Sequence, residues 1–382
     1  MTEFNTLRER ITDVIRREGA IPFSRYMEMC LYEPGLGFYA REREVFGKAG
    51  DFYTSSDVHA VYGRLLCRQF DEMWRVLGEP ETIDLVELGP GRGLFALDVL
   101  DWAAKKFPAF AAALRYRLVE TSEYLRKRQA ERLSHHVAAE RASIHASLAE
   151  AEEKCGAALI VFGNEFFDAL PVEVVTGKGQ VYVEVDESGR FVERPKAERP
   201  EIAKFLDRYG VRPEEDQRVE VALAGQSWMR EIAALFTPMR RGFCMFVDYG
   251  YTRNEQLAGR HLDTLMTYRQ HEATPDPYAA PGEQDITAHV NFTALRAAAE
   301  QSGMHHVGLL TQSQLLLGIG EKTQFGDALD ECSLPQERAK VLLQLKHLVT
   351  PAGMGEIFHA MILSRGVAPE AALNLSGLSF TH

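Results

Sequence analysis

Glu87 stands two residues before the first of three alternating glycines, Gly89, Gly91 and Gly93, and Glu120 lies further along at the end of a second apolar run. Glycines at such spacing let the backbone turn sharply and let a ligand approach the main chain. A helix predicted over 94–106 would then aim its open N–H groups at that ligand. A dinucleotide site wants G-x-G-x-x-G and an acid about 20 residues later. Here the spacing is G-x-G-x-G, with one acid before the turn and the next candidate ribose acid, Glu120, further on than that pattern expects. Both departures favour S-adenosylmethionine (SAM), which lacks phosphate but carries an amino group, a sulfonium and a ribose diol. Glu87 suits the cationic methionine end and Glu120 suits the ribose. For the glycines alone, a plain structural turn is the competing reading.

Further acids sit at other strand ends. The run 157–162 reads as a strand that delivers Asn164, Glu165, Phe166, Phe167 and Asp168; the run 243–247 delivers Asp248 and Tyr249; the stretch 285–290 carries Asp285 and His289. Ligand crevices in open α/β sheets lie beyond the carboxyl ends of strands, so Glu87 to Gly93, Glu120 and Asn164 to Asp168 are expected to converge. Asn164 either holds the amino-acid end of SAM or turns the chain. Asp168 reads equally as a helix N-cap, Asp248 as a strand-end turn residue and His289 as a structural histidine. In the glycine- and hydroxyl-rich loop 47–57, Asp51 and Phe52 either close over SAM or shape the loop.

The elements that must position these residues follow from periodicity. From residue 82 strands alternate with helices, which predicts a doubly wound α/β sheet. Strands are expected at 82–88, 116–120, 144–145, 157–162, 243–247, 306–310 and 356–364, with helices at 94–106, 122–133, 222–238 and 321–349. Ahead of them, helices over 4–18 (Leu7, Ile11, Val14 and Ile15 on one face), from Ser24 to before Pro34, and over 58–77 predict a helical N-terminal cap at 1–80. The catalytic domain would span 81–365, with insertions at 172–220 (a β-hairpin and a charged, Pro-rich linker at 193–216) and 252–290 (a long irregular stretch). Residues 366–382 read as a C-terminal tail.

Composition narrows the function. Of 382 residues 46% are apolar, enough for a large core, and the net charge of −12 argues against a general nucleic-acid or membrane-surface binder. Five scattered cysteines with no C-x-x-C point to a reduced compartment and no zinc site. The pairs His135-His136 and His305-His306 read as surface or structural, so no metal is expected. No apolar run approaches the ~18 residues that span a bilayer. Residues 1–19 hold Glu3, Glu9, Asp13 and Glu18, unlike an arginine-rich presequence, and no signal peptide is visible. The expected address is the bacterial cytoplasm, or the mitochondrial matrix were the chain eukaryotic.

With these pieces placed, the sequence resembles the MidA-like class I SAM-dependent methyltransferases. That group includes the mitochondrial complex I assembly factor that methylates an arginine of the 49-kDa subunit. The matching stretches are Met29-Cys30-Leu31-Tyr32-x-Pro34-Gly35-x-Gly37-Phe38-Tyr39, Gly50-Asp51-Phe52-x-Thr54-Ser55, Glu87 to Gly93, Asn164 to Pro171, Asp248-Tyr249-Gly250, and Gly282-x-x-Asp285 to Phe292, with Met354-Gly355 near the end. They cover about residues 20 to 365. One departure is Ser313, where the family tends to have glycine. The resemblance implies a Rossmann-like, seven-stranded SAM-methyltransferase fold with a helical N-terminal cap and inserted substrate-side elements. It implies SAM as cofactor and a protein arginine as substrate, such as one on a complex I 49-kDa-type subunit.

An arginine nucleophile sets its own demands. Its guanidinium is a cation at any working pH. Carboxylates must bind it in a fork, localise its charge and receive a proton as the new bond forms. Glu165 and Asp168 are the expected substrate-facing acids, with Asp248, His289 or Asp285 assisting. Two other functions compete: a SAM-binding assembly chaperone with little turnover, and a methyltransferase for a small molecule or RNA. The acidic charge counts against RNA, and the glycine spacing counts against a nicotinamide dehydrogenase.

Overall fold

The computed structural model describes residues 6–41, 60–269 and 272–380. The chain divides into two compact units, each assembled from separate stretches. One comprises Met1–Phe52, Phe167–Arg230 and Gly250–Ala298; the other comprises Tyr53–Phe166, Glu231–Tyr249 and Ala299–His382.

The second unit is built on seven strands of an eight-stranded sheet: β1 (Ile83–Leu88), β2 (Leu114–Val119), β3 (Ala142–His145), β4 (Ala158–Asn164), β5 (Arg241–Tyr251), β6 (His305–Thr311) and β7 (Phe358–Arg365). Their order across the sheet is β3-β2-β1-β4-β5-β7-β6. β1 to β5 are parallel, and β7 runs antiparallel between β5 and β6. This is the doubly wound sheet expected from the sequence. Strands covered on both faces read as continuous apolar runs, and every residue of β1 is buried. The chain steps outward from β1 to β3, then returns to lay β4 on the other side of β1. The strand order therefore reverses between β1 and β4, and ligands bind beyond the carboxyl ends at such a switch point.

Helices Ala60–Val76 and Leu94–Lys106 belong to this unit's core. Phe95 stacks on Phe162 of β4 with ring centroids 4.6 Å apart, and Phe70 packs edge-on to the same ring. Each such fully buried ring contributes about 1.5–3 kcal/mol. Ala60–Val76 falls with the sheet rather than with the preceding helices. It buries Gln69, Asp71 and Glu72 as well as its apolar side, so the sheet unit encloses it on more than one face. Its Arg68 pairs with buried Asp327, which also accepts from Trp102 Nε1 at 3.1 Å.

Two further differences lie near the chain's end. The helical stretch predicted at 321–349 is two helices, Gly326–Leu329 and Pro335–Val349, and a further helix, Gln312–Glu321, stands ahead of it. Gln324 and Phe325 take left-handed backbone angles and break the run, and Pro335 starts the last piece. Ser313, the departure noted above, lies within the capping box formed by Thr311 and Gln314. The segment read as a tail is docked. It forms a short helix at Pro369–Ala372 and a 3₁₀ turn at Ser376–Leu378, burying Leu375 and Leu378. The Ser376 N–H donates to Glu72 at 2.8 Å, and the Gly377 N–H donates to Gln69 at 2.9 Å.

In the first unit, helix Leu7–Glu18 starts at a Thr6/Glu9 capping box and buries Leu7, Ile11, Val14 and Ile15, as its periodicity requires. Helix Phe23–Tyr32 follows. The 172–220 insertion is a sheet, not a hairpin and linker. Strands Glu173–Thr176, Gly179–Val185, Phe191–Lys196 and Arg218–Val221 pair antiparallel, and Ile21–Pro22 joins the edge of Gly179–Val185. Pro200 opens helix Pro200–Tyr209, which buries Ile202, Phe205 and Leu206. The 252–290 stretch is also structured, with helix Arg253–Leu257 and a three-stranded sheet of Met266–Arg269, Glu272–Thr274 and Asp285–Thr287.

All five cysteines are free thiols. Among the described residues no helix is long and apolar enough to cross a membrane, and no cluster of His, Cys, Asp and Glu could hold a metal ion.

Candidate active site

β1 ends in the glycine turn. Gly89, Gly91 and Gly93 have φ of 61°, 50° and 72°, a region that costs other residues about 1–2 kcal/mol. A Cβ on Gly89 would stand 3.2 Å from the Phe166 ring. Gly93 is the N-cap of helix Leu94–Lys106 and makes no side-chain cap bond. The turn is held from outside by Gln129, fully buried on helix Glu123–Arg132, whose Nε2 donates to the Gly91 carbonyl at 2.7 Å. Sequence reasoning missed Gln129, because nothing local links a helix glutamine to a distant turn.

Both acids expected at the cofactor are buried in the same unit. Glu87 accepts from the Tyr116 hydroxyl at 2.8 Å. Burial pushes its carboxyl up to about 8; the Tyr116 bond works against that rise, and nearby Glu120 adds to it. Glu120 accepts from the Ser122 N–H at 2.9 Å. Burial raises it to about 7, opposed by the backbone N–H of Ser122, the charge of Arg126 and the N–H groups of Thr121 and Gly91. Two carboxyls poised near neutrality beside a glycine turn can exchange their protons for a cation and a diol.

At the end of β4, Asn164 donates from Nδ2 to Glu165 Oε1 at 2.9 Å and accepts at Oδ1 from the Tyr62 hydroxyl at 2.8 Å. Glu165 takes a left-handed φ of 52°, rare for a side-chain-bearing residue, and its N–H bonds the Val247 carbonyl at 2.9 Å. Asp248 follows Val247 on β5, is buried, and caps the Tyr249 N–H at 3.0 Å. Burial raises the Tyr62 phenol well above its usual value, and the charges of Glu165 and Asp248 raise it further. Asn164 pairs in register with Val247 of β5, so Glu165 and Asp248 follow at adjacent strand ends, and the Tyr62 hydroxyl donates to Asn164 there. Tyr62 was read only as part of a helix; its role is invisible without the fold.

The other expected residues lie in the first unit. Asp168 is buried, and its carbonyl accepts from the Ala288 N–H at 3.0 Å. Asp285 accepts from the Tyr39 hydroxyl at 2.9 Å, and Tyr39 stacks on Tyr32. Burial raises the Tyr39 phenol, with Asp285, Tyr32 and Asp168 adding to the shift. His289 faces His261 with their Nδ1 atoms 3.1 Å apart. Burial, then the neighbouring His261, lowers His289 to about 4. Asp51 and Phe52 lie outside the described residues.

Comparison with known proteins now adds what geometry alone does not. Residues 65–310 match the family described as "Putative S-adenosyl-L-methionine-dependent methyltransferase". The chain belongs to this family. As a SAM-dependent methyltransferase it is 31% identical to the mitochondrial protein arginine methyltransferase NDUFAF7 homolog of Drosophila melanogaster, over 95% of this chain and 85% of the relative. The human mitochondrial protein arginine methyltransferase NDUFAF7 is 29% identical, over 91% of this chain and 81% of the relative. Among solved structures, a Burkholderia thailandensis protein bound to S-adenosyl-homocysteine superposes with a TM-score of 0.81 at 30% identity, covering 98% of this chain and 94% of that one.

The sheet unit of this methyltransferase brings together groups whose chemistry fits SAM. They are a turn that a Cβ at Gly89 would crowd, an uncapped helix start at Gly93, and two buried carboxyls at adjacent strand ends.

Proposed function

We propose that this methyltransferase modifies an arginine of a protein, with the 49-kDa-type subunit of respiratory complex I as its target. The observation that carries the reading is the placing of Glu165 and Asp248 directly after the paired residues Asn164 and Val247, at the adjacent ends of β4 and β5 beside the switch point. Two carboxylates there suit a guanidinium. The names of the relatives support the same substrate class.

In this reading Glu87 holds the methionine ammonium, Glu120 the ribose hydroxyls, Asn164 the amino-acid end, and Gly89, Gly91 and Gly93 give room for the main chain to line the site. When bound, SAM supplies an electrophilic methyl group on a sulfonium. The chain's part is to hold the guanidinium in line, exclude water and take a proton. Glu165 would bind the guanidinium and take its proton as the N–C bond forms and the methyl–sulfonium bond breaks, with S-adenosyl-homocysteine as the leaving group; Asp168, three residues on in the chain, is the second acid of this reading. Asp248, at the neighbouring strand end, reinforces the negative field. His289, neutral at working pH, acts through hydrogen bonding rather than as the proton store. A cytoplasmic location goes with this reading.

The test is incubation of the full chain with methyl-labelled SAM and the recombinant 49-kDa-type subunit, followed by peptide mass mapping. Label on an arginine, lost about 100-fold or more in Glu165→Gln, is the expected result. Label on a lysine, on RNA or on a small molecule would overturn it, and so would tight subunit binding with no transfer.

A further inference from the structure

We propose that Tyr62 is a positioning residue for methyl transfer, holding the Asn164 amide so that its NH₂ faces Glu165. The inference rests on the reading of Glu165 as a substrate-facing acid.

An ionised carboxylate only accepts hydrogen bonds, so the atom of Asn164 that meets Glu165 Oε1 at 2.9 Å must be the NH₂ group. Asn164 Oδ1 therefore faces Tyr62, and the phenol must donate across the 2.8 Å contact. The direction of both bonds is thus fixed. Were the Tyr62 hydroxyl removed, the amide would lose the donor that tells its two ends apart. A flipped amide sets oxygen against carboxylate.

The phenol is itself rigidly placed. Tyr62 is fully buried near the start of helix Ala60–Val76, and its ring packs on Phe95, 5.9 Å between centroids, on the helix that follows the glycine turn. Phe95 in turn stacks on Phe162 of β4, two residues before Asn164. A contiguous aromatic stack therefore ties the glycine-turn helix to the strand end that carries the amide and the acid. Glu165 adds a second constraint. Its left-handed backbone persists only where surroundings over-determine it. The Val247 carbonyl holds its N–H, and Asn164 holds its carboxylate. Fixing a general base in one orientation before substrate arrives removes ordering from the reaction step. A bond from an amide to the charged form also favours the ionised carboxylate.

Tyr62→Phe keeps the ring packing and deletes only the hydroxyl, so the fold survives. With methyl-labelled SAM and the 49-kDa-type subunit, kcat is expected to fall about fivefold, the effect of one hydrogen bond, while KM for the subunit stays within about twofold. The acidic limb of the kcat–pH profile should move to higher pH as the carboxylate loses its donor. On an Asn164→Ala background, Tyr62→Phe should add nothing. Independently of activity, the Asn164 side-chain amide protons, identified in a ¹⁵N spectrum by their loss in Asn164→Ala, should exchange at least about tenfold faster in Tyr62→Phe. An unchanged pH profile with unchanged amide exchange would overturn the proposal, as would multiplicative effects of the two substitutions. Full activity in Glu165→Gln would overturn the reading of Glu165 and the proposal with it. That case is told apart because Tyr62→Phe would then speed amide exchange without touching the rate.

Discussion

Replacing Glu87 by Gln should make the cofactor-free protein more stable and its hold on SAM weaker, and the first effect should depend on pH. The carboxyl is buried beside Tyr116, and its value rises from the ordinary 4.5 to about 8. The folded state thus keeps a proton that the unfolded chain gives up above 4.5. The stability that this one carboxyl contributes is fully present below about 4.5 and is lost as pH rises through about 8. Worked through linkage, that loss is about 1 kcal/mol at pH 5, about 3 at pH 7 and about 4 at pH 8. Glutamine does not ionise. Its NH₂ adds a cost of its own, but one without pH dependence. The difference between variant and parent should therefore grow by about 3 kcal/mol between pH 5 and pH 8. Urea unfolding of both proteins at the two pH values measures it. Calorimetry with SAM should show affinity lower by about 10- to 100-fold, the worth of one charge-assisted hydrogen bond. A difference that changes by less than about 1 kcal/mol across the window would refute the assignment of the buried carboxyl.

Other outcomes follow from the same structure. Gly89→Ala forces a Cβ onto a φ of 61° and against Phe166. It should cost about 1–2 kcal/mol in denaturant unfolding and weaken SAM binding by calorimetry; normal values of both would contradict the described turn. Arg68→Met strands the buried Asp327 carboxylate and should cost about 3 kcal/mol or more, most of it recovered by adding Asp327→Asn. Equal losses in the single and double variants would mean packing, not charge, is responsible. Gln129→Leu removes the bond to the Gly91 carbonyl while roughly keeping volume. It should weaken SAM about fivefold with little change in overall stability, read from binding and unfolding curves together.

What the sequence revealed and what it hid have physical causes. The glycine turn and its two acids were legible because that chemistry is local and its spacing discriminates among ligands. The strands were legible because parallel strands buried on both faces leave unbroken apolar runs. Helix Ala60–Val76 was assigned to the cap because a helix enclosed on several sides still shows a dominant apolar stripe. Helix Gln312–Glu321 was missed because Gly318 and Gly320 resemble turn punctuation. They are glycines because a Cβ at Gly320 would overlap the Phe325 ring and one at Gly318 would meet the Ser376 carbonyl. The strand and helix within 193–216 were hidden by charge, since only Ile202, Phe205 and Leu206 are buried on that helix. Tyr62 and Gln129 were out of reach for another reason: their importance lies in a partner about 30 residues or more away, which only the fold supplies.

The place of β7 has a consequence for how the protein is made. Residues 358–365 are the last strand in order along the described residues, yet they insert between β5 and β6 and pair with both. Until the ribosome has passed them, β5 offers an open edge and β6 lacks its partner, so the sheet closes only after residue 365 has emerged. Open strand edges invite pairing with other chains. A nascent chain arrested before residue 358 is therefore expected to sit on chaperones and yield to protease across β5 and β6, and to become resistant once the remaining strand is added. Resistance at the earlier arrest point would show that the first five strands stand alone.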